Sequence, residues 1–163
     1  MSNYLEKGYL EVSDIIHSFP SEDEFSVHPV AISECVQEIP CNPCVSSCPT
    51  KAITMEDISS IPIINYKQCI GCGKCVQVCP GLALFLVFKN KDSYEITLPY
   101  EMLPLPKVLD EVYLLDRTGK RVGTGIVKRV KQVEKNTYSS LITVSFKEKS
   151  LIYEVRNIGV KNG

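Results

Sequence analysis

The stretch Cys69-Ile70-Gly71-Cys72-Gly73-Lys74-Cys75-Val76-Gln77-Val78-Cys79-Pro80 has the spacing C-x₂-C-x₂-C-x₃-C-P and decides the fold. Three thiolates placed two residues apart can bind the corners of one iron–sulfur cubane, and the N–H groups between them can point at its sulfurs. Gly71 and Gly73 permit the positive φ and the close approach that such a loop requires. The fourth cysteine follows about one helical turn later, before a helix-ending proline, and in this spacing it binds a second cluster.

The same pattern occurs earlier in the chain, offset by 31 residues. The repeat relates Cys41, Cys44, Cys48, Pro49 and Ala52 to Cys72, Cys75, Cys79, Pro80 and Ala83. Each Cys-Pro is followed by a predicted strand, at 52–55 and 82–88, and a further predicted strand at 61–66 precedes the second cysteine run. The repeat therefore predicts two copies of strand, cysteine loop, short helix and strand, related by a pseudo-two-fold axis around metal.

The first copy departs from the pattern at one ligand. Glu38 stands where the repeat places Cys69, but Cys35 lies three residues earlier and a C-x₅-C loop can return its thiolate to that corner. Two [4Fe–4S] clusters need eight thiolates, and the chain has eight cysteines. Without Cys35, the first site would use Glu38 as an oxygen ligand or hold a [3Fe–4S] cluster. We predict a first cluster on Cys35, Cys41, Cys44 and Cys79, and a second on Cys69, Cys72, Cys75 and Cys48.

Other uses of the cysteines fit less well. The pairs Cys41/Cys44 and Cys72/Cys75 could form a Cys₄ zinc site, but this leaves four cysteines unused and leaves the repeat unexplained. The first fifteen residues contain no apolar leader segment, so we expect a cytoplasmic protein whose reducing surroundings disfavour disulfides. The longest apolar run, at 82–88, is far shorter than the roughly 20 residues of a membrane span, so none is expected.

Composition divides the 163-residue chain into regions of different charge. The net charge is −1, which gives no whole-chain attraction to nucleic acid or to anionic membranes. Residues 1–90 hold five Lys/Arg and ten Asp/Glu, a sum of −5, whereas residues 91–163 hold thirteen and nine, a sum of +4. We predict an N-terminal arm at 1–29, a two-cluster domain at 30–90 and a C-terminal module at 91–163. No Ser/His/Asp arrangement is readable, so the chain is expected to have no catalytic site of its own.

The cysteine-free region is predicted to be all β. A hairpin turn at 116–120, with Gly119 at positive φ, leads into a strand extending to Glu134. Along that strand Val122, Ile126 and Val130 are expected to share one face. Further strands are predicted at 139–146 and 151–155. Four or five short strands without a helix favour a small β-barrel or a rolled sheet.

Basic residues concentrate in this module, at Arg117, Lys120, Arg121, Lys128, Arg129, Lys131 and Lys135. They are consistent with a docking face for an acidic partner, with a nucleic-acid patch, or with a solvated strand that keeps a sheet edge soluble. Nucleic acid is the weakest of the three interpretations, because aromatic residues do not alternate with the basic ones as base-stacking surfaces would require.

The two cluster loops also differ in their backbone donors. Pro43 removes one N–H from the first loop, whereas the second loop keeps all of its N–H groups. Backbone N–H···S hydrogen bonds help to set the potential of a cluster. We therefore predict that the two clusters have unequal reduction potentials. The loops do not indicate which potential is higher.

Residues 41–88 resemble a two-cluster bacterial ferredoxin. The resemblance implies an α+β protein with a pseudo-two-fold (βαβ)₂ ferredoxin-like core, and outer-sphere electron transfer without substrate chemistry at the cluster. The sequence segments 30–44 and 98–106 are similar to segments of the ferredoxin-like small subunits of FAD-dependent amino-acid dehydrogenases. These dehydrogenases are of the proline, hydroxyproline or sarcosine type. That similarity implies a hetero-oligomer in which this subunit relays electrons between flavoprotein subunits and an acceptor. The alternatives are a free soluble ferredoxin carrier and an iron–sulfur regulatory protein that binds nucleic acid.

Overall fold

The N-terminal segment is built of short helical turns. The computed structural model describes residues 3–132 and 139–161, and its first elements are α1 (Tyr4–Lys7), α2 (Val12–Ile15), a 3₁₀ turn (Ile16–Ser18) and α3 (Glu24–Val27). A capping box formed by Glu11 and Asp14 begins α2. Phe25 of α3 is completely buried, which fixes this segment against the rest of the protein.

Two strand–helix–strand units follow. All eight cysteines lie in the helices of these units or in their connecting loops. They comprise β1 (Val30–Ser33), α4 (Pro43–Ser47) and β2 (Ile53–Thr54), then β3 (Ile63–Ile64), α5 (Lys74–Val78) and β4 (Leu84–Lys89). The outer strands β1 and β4 pair with each other antiparallel, and so do the inner strands β2 and β3. The strands predicted at 52–55, 61–66 and 82–88 are therefore present, with shorter or shifted ends.

The rest of the described residues, from 90 onward, form five strands and one short helix. These are β5 (Tyr94–Tyr100), β6 (Glu111–Leu115), β7 (Arg121–Lys131), β8 (Ser140–Phe146), α6 (Leu151–Glu154) and β9 (Asn157–Val160). The strand predicted at 151–155 is wrong. Adjacent Leu151 and Ile152 are both buried, and the N–H of Val155 donates to the carbonyl of Leu151 at 2.9 Å, so these residues form a helical turn.

One large antiparallel sheet spans most of the chain. Its strand order is β1-β4-β5-β8-β7-β6-β9, so β1 and β9 form its two edges and it does not close on itself. Of the two predicted forms, a small β-barrel or a rolled sheet, the closed barrel is therefore wrong. The reason is that β4 pairs with β5 across residue 90, which extends the sheet into the cysteine-bearing region instead of letting the C-terminal strands close on each other.

The core lies along the middle of this sheet. Residues 84–87 of β4 are all buried, because α3 and α5 both pack against this strand. Ile96 of β5 and Ile142 of β8 are also completely buried, so the core continues without a break across residue 90. This continuous core holds the cysteine loops against the C-terminal strands.

The hairpin between β6 and β7 has the predicted turn. Gly119 has φ of 81°, and Asp116 Oδ1 accepts hydrogen bonds from the N–H groups of Thr118 and Lys120. The predicted face of β7 is wrong, however, since Val127 is buried and Ile126 is 38% exposed. Bulges opposite β6 and β8 shift the alternation along the strand, and the predicted extension from Lys131 to Glu134 ends outside the described residues.

Truncation of a buried side chain in β5 should destabilise the whole protein. We expect Ile96→Ala to lower the free energy of unfolding by about 2–5 kcal/mol, because a buried cavity remains where the side chain was. Ile126→Ala, the same substitution on an exposed position of β7, is the matched control and should cost less than about 1 kcal/mol. Urea unfolding followed by circular dichroism measures both, and equal losses would show that Ile96 is not a core position.

Candidate iron–sulfur site

Four of the cysteines line one cavity between α4, α5 and the sheet. They are Cys48, Cys69, Cys72 and Cys75, which the sequence predicts for the second cluster. Cys75 lies in α5, Cys48 follows α4, and the other two lie in the loop before α5. Cys69 and Cys75 are buried, whereas Cys72 is exposed, so this site has one edge that solvent or a partner can reach.

Burial and mutual repulsion act on these thiols. Burial, followed by the charges of Cys69, Cys72 and Cys48, raises the pKa of Cys75 to about 12. Burial also acts on Cys48, but hydrogen bonds from Thr50 and from nearby backbone N–H groups outweigh it and lower the pKa of that thiol. A thiolate at Cys75 therefore needs a cation beside it, and the iron of a bound cluster would supply one.

Two glycines let the loop pass close to its neighbours. Gly71 has φ of 65°, and a Cβ at this position would lie 2.3 Å from the carbonyl oxygen of Pro29. Gly73 has φ of 76°, and a Cβ there would lie 2.9 Å from Leu141 Cδ1. Both glycines meet the requirement that the sequence predicts for them, and both contacts come from segments that the cysteine motif does not include.

The other four cysteines, Cys35, Cys41, Cys44 and Cys79, form a second electrostatic group. Burial is the largest cause that raises the pKa of Cys35, and the nearby Cys79 and Cys41 raise it further. Burial, followed by Cys79, Cys41 and Cys35, likewise raises the pKa of Cys44. Cys79, the last cysteine of the second run, thus lies near cysteines of the first run, and Cys48 lies with those of the second.

Backbone N–H groups donate hydrogen bonds to several of the cysteine sulfurs. The N–H of Ala52 donates to Cys48 Sγ at 3.2 Å, and that of Ala83 donates to Cys79 Sγ at 3.4 Å. These two bonds are related by the 31-residue offset of the sequence repeat. The N–H of Ala31, in β1, donates to Cys69 Sγ at 3.3 Å, a contact that no local motif indicates.

The alternatives for the first group can be located as well. Glu38 is exposed, whereas Cys35 is partly buried and interacts with Cys79 and Cys41. Pro43 lies in the first turn of α4, where its missing N–H leaves no helical bond broken. Among residues 3–132 and 139–161, no three His, Cys, Asp or Glu side chains converge on a single metal-ion position.

A group of three buried charges borders Cys35. Arg117 donates from Nε to Glu34 Oε2 at 3.0 Å and from Nη2 to Glu34 Oε1 at 2.6 Å, and Arg156 Nε donates to the same Oε1. We call Glu34, Arg117 and Arg156 the buried charge triad. Burial opposes ionisation of Glu34, but the charges and hydrogen bonds of Arg156 and Arg117 prevail and lower its pKa. Burial lowers the pKa of Arg156 to about 10, so it stays charged at neutral pH.

The triad changes the interpretation of the basic residues. The sequence places Arg117 in a basic surface, but only 8% of its side chain is exposed. Arg121 stacks on Tyr113, with its guanidinium carbon 4.1 Å from the ring centroid. Lys128, Arg129 and Lys131 are exposed, and Lys135 lies outside the described residues. The exposed basic set is therefore smaller than the sequence suggests.

Comparison with known proteins finds relatives of the cysteine-bearing segment. Residues 34–83, which are 50 of the 163 residues, match the family model of the 4Fe-4S dicluster domain. Over 47 residues the chain is 45% identical to the polyferredoxin-like subunit of an aliphatic sulfonate oxidoreductase of Pyrococcus furiosus, covering 29% of this chain and 27% of that protein. No solved structure matches.

Two further relatives match segments of similar length. An uncharacterized ferredoxin of Methanocaldococcus jannaschii is 41% identical over 56 residues, 34% of each chain. A tetrathionate reductase subunit of Salmonella typhimurium is 43% identical over 55 residues, 34% of this chain and 22% of that protein. The chain thus spans between about a fifth and a third of the length of these curated relatives.

The domain match supports binding of a 4Fe–4S cluster by residues 34–83. Redox-complex subunits are among the relatives, and one relative is named a ferredoxin. Among the described residues, no helix combines the length and the apolar character needed to cross a bilayer.

Proposed function

We propose that this chain relays single electrons through two [4Fe–4S] clusters, between a flavoprotein dehydrogenase and an acceptor. The observation that carries the proposal is that Cys48 lines one cavity with Cys69, Cys72 and Cys75, whereas Cys79 interacts with Cys35 and Cys44. When bound, each cluster would accept and release one electron without forming or breaking bonds to a substrate.

Different residues would bind the two clusters of such a relay. Cys35, Cys41, Cys44 and Cys79 would hold the first cluster, and Cys48, Cys69, Cys72 and Cys75 the second. Backbone N–H groups of Ala31, Ala52 and Ala83 donate to three of these sulfurs and would stabilise added negative charge. Since α4 and α5 pack together, the two sets are neighbours, as a relay requires.

The proposal includes the pseudo-two-fold (βαβ)₂ core. It is supported by the order β1-α4-β2 and β3-α5-β4, by the pairing of outer and inner strands, and by the equivalent N–H···S bonds at Cys48 and Cys79. In this division residues 30–90 carry the clusters, and 91–163 form a platform that shares its sheet with them.

We further propose that the partner is a flavin-containing amino-acid dehydrogenase. Support comes from the resemblance of 30–44 and 98–106 to small subunits of such enzymes. The second of these segments is partly exposed, with Met102 at 46% and Leu103 at 86%, and lies beside Cys79 in one cleft. Exposed apolar side chains next to a cluster ligand are suited to contact with another subunit.

Anaerobic purification from the native host tests the proposal. We expect flavoprotein chains to co-elute with this one, and about eight irons per copy, the number that two [4Fe–4S] clusters contain. Mass spectrometry identifies the chains, and iron, zinc and flavin analysis gives the cofactors. A solitary monomer with about eight irons would make the chain a free electron carrier. Zinc in place of iron would contradict both the relay subunit and the free carrier.

A further inference from the structure

The buried charge triad joins three distant parts of the sequence beside the first group of cysteines. Glu34 immediately precedes Cys35, Arg117 lies in the turn between β6 and β7, and Arg156 lies between α6 and β9. The exposed fractions of their side chains are 8%, 8% and 4%. Two guanidinium groups against one carboxylate leave an excess of one positive charge inside the protein.

The rest of the hydrogen bonding does not cancel this charge. Arg117 Nη2 donates to the carbonyl of Tyr153 at 2.8 Å, and Arg156 Nη1 donates to the carbonyls of Ile152 and Val155. Among the described residues, Arg156 Nη2 is buried without a hydrogen-bond partner, and its guanidinium carbon lies 5.1 Å from the ring centroid of Phe85.

One further carboxylate approaches the triad from its rim. Glu154 Oε2 lies 3.9 Å from Arg117 Nη1, but 44% of the Glu154 side chain is exposed. Solvent therefore screens this pair much more strongly than it screens the buried contacts with Glu34. The excess positive charge remains inside.

Backbone contacts tie the triad to two cysteines of the first group. The N–H of Glu34 donates to the carbonyl of Ala83 at 2.8 Å, and the N–H of Ala83 donates to Cys79 Sγ. Cys35 lines the same cavity as Glu34, Arg117 and Arg156. The charges and the cysteines are therefore held in one small region.

We propose that the buried charge triad raises the reduction potential of the first cluster. This inference rests on the proposed function, because it requires a cluster on Cys35, Cys41, Cys44 and Cys79. One electron added there increases the local negative charge by one unit, and a nearby positive charge in a low-dielectric interior stabilises that state. The C-terminal module thus supplies the two arginines that set the potential of a cluster bound by the N-terminal half.

Charge-changing variants of the full chain, purified anaerobically with its clusters, give opposite expectations. Glu34→Gln raises the triad from +1 to +2 and should shift the first-cluster midpoint upward. Arg117→Gln reduces it to zero and should shift that midpoint downward, whereas Arg117→Lys keeps the charge and should leave the midpoint near wild type. Redox titration followed by electron paramagnetic resonance measures each midpoint, and the first-cluster signal is the one lost in Cys35→Ala.

A surface ion-pair group provides the matched control. Glu22 also contacts two cations, Lys89 and Lys149, but its side chain is 30% exposed. Lys89 lies five residues along β4 from Leu84, about 17 Å at the usual rise of a strand, and Leu84 pairs with Ser33 near Cys35. Glu22→Gln should therefore leave both midpoints unchanged.

The outcomes separate this inference from the proposed function. A wild-type chain with only about four irons contradicts the two-cluster proposal. With about eight irons, shifts of the same sign in Glu34→Gln and Arg117→Gln, or shifts no larger than in Glu22→Gln, overturn the inference alone. If the variants of the buried triad lose the first cluster, Glu154→Gln at the rim is the deciding variant. It should raise the first-cluster midpoint by less than Glu34→Gln would. An unchanged midpoint in Glu154→Gln would overturn the inference.

Discussion

Replacing Cys35 by alanine should lower the bound iron from about eight to about four per chain, because the first [4Fe–4S] cluster loses one of its four thiolates. Glu38, the residue that the repeat aligns with Cys69, is exposed, whereas Cys35 is partly buried and interacts electrostatically with Cys79 and Cys41. Iron analysis and electron paramagnetic resonance of the anaerobically purified variant measure the loss.

Glu38→Ala is the matched control for Cys35→Ala. It should retain about eight irons and a wild-type spectrum, since the proposal assigns the fourth ligand of the first cluster to Cys35 and not to Glu38. The reverse result, with iron lost in Glu38→Ala and kept in Cys35→Ala, would make Glu38 the ligand. About seven irons in Cys35→Ala would indicate that the site survives as a three-iron cluster.

The conformation of the cysteine loops could be predicted because its constraints are local. The spacing of each run and the glycines at 71 and 73 restrict where the thiolates can point, and the 31-residue offset relates the two runs. The pairing of β4 with β5 could not be read in the same way. It depends on which of several apolar strands pair across the chain, so the open sheet differs from the barrel, one of the two predicted forms.

Arg117 illustrates a second kind of information that the sequence does not contain locally. Because Arg117 is followed by Lys120 and Arg121 in the sequence, the pattern predicts a basic surface, and these two neighbours are indeed exposed. Its buried position depends on Glu34, which is 83 residues earlier in the chain. The predicted face of β7 is wrong for a related reason, because bulges opposite β6 and β8 break the two-residue period that the prediction assumes.

Short segments differ in how far their own residues determine them. The turn at 116–120 follows from Asp116 and Gly119 themselves, so it is as predicted. Residues 151–154 are apolar enough for a strand, but their helical turn depends on burial against β5 and β7. Local chemistry therefore predicts turns and ligand loops well, and tertiary packing decides the ambiguous apolar segments.

Replacing Gly71 by alanine should remove most of the iron of the second cluster. The new Cβ would lie 2.3 Å from the carbonyl oxygen of Pro29 and 2.9 Å from its carbonyl carbon, and these are backbone atoms that cannot rotate away. The loop between Cys69 and Cys72 or the start of β1 must therefore move, and the N–H of Ala31 in β1 is the donor to Cys69 Sγ. We expect bound iron to fall toward about four per chain.

Gly119→Ala separates this steric effect from backbone strain. Gly119 also has positive φ, 81° against 65° at Gly71, but a Cβ there meets no atom within 4 Å. The control should lose only the free energy that a left-handed alanine costs, about 1–2 kcal/mol of unfolding free energy, and should keep its iron. If Gly71→Ala also keeps about eight irons and unfolds like Gly119→Ala, the close approach of Pro29 does not shape the second cluster site. If it loses iron while the control does not, the loop conformation that the cysteine spacing predicts depends on a contact outside the motif.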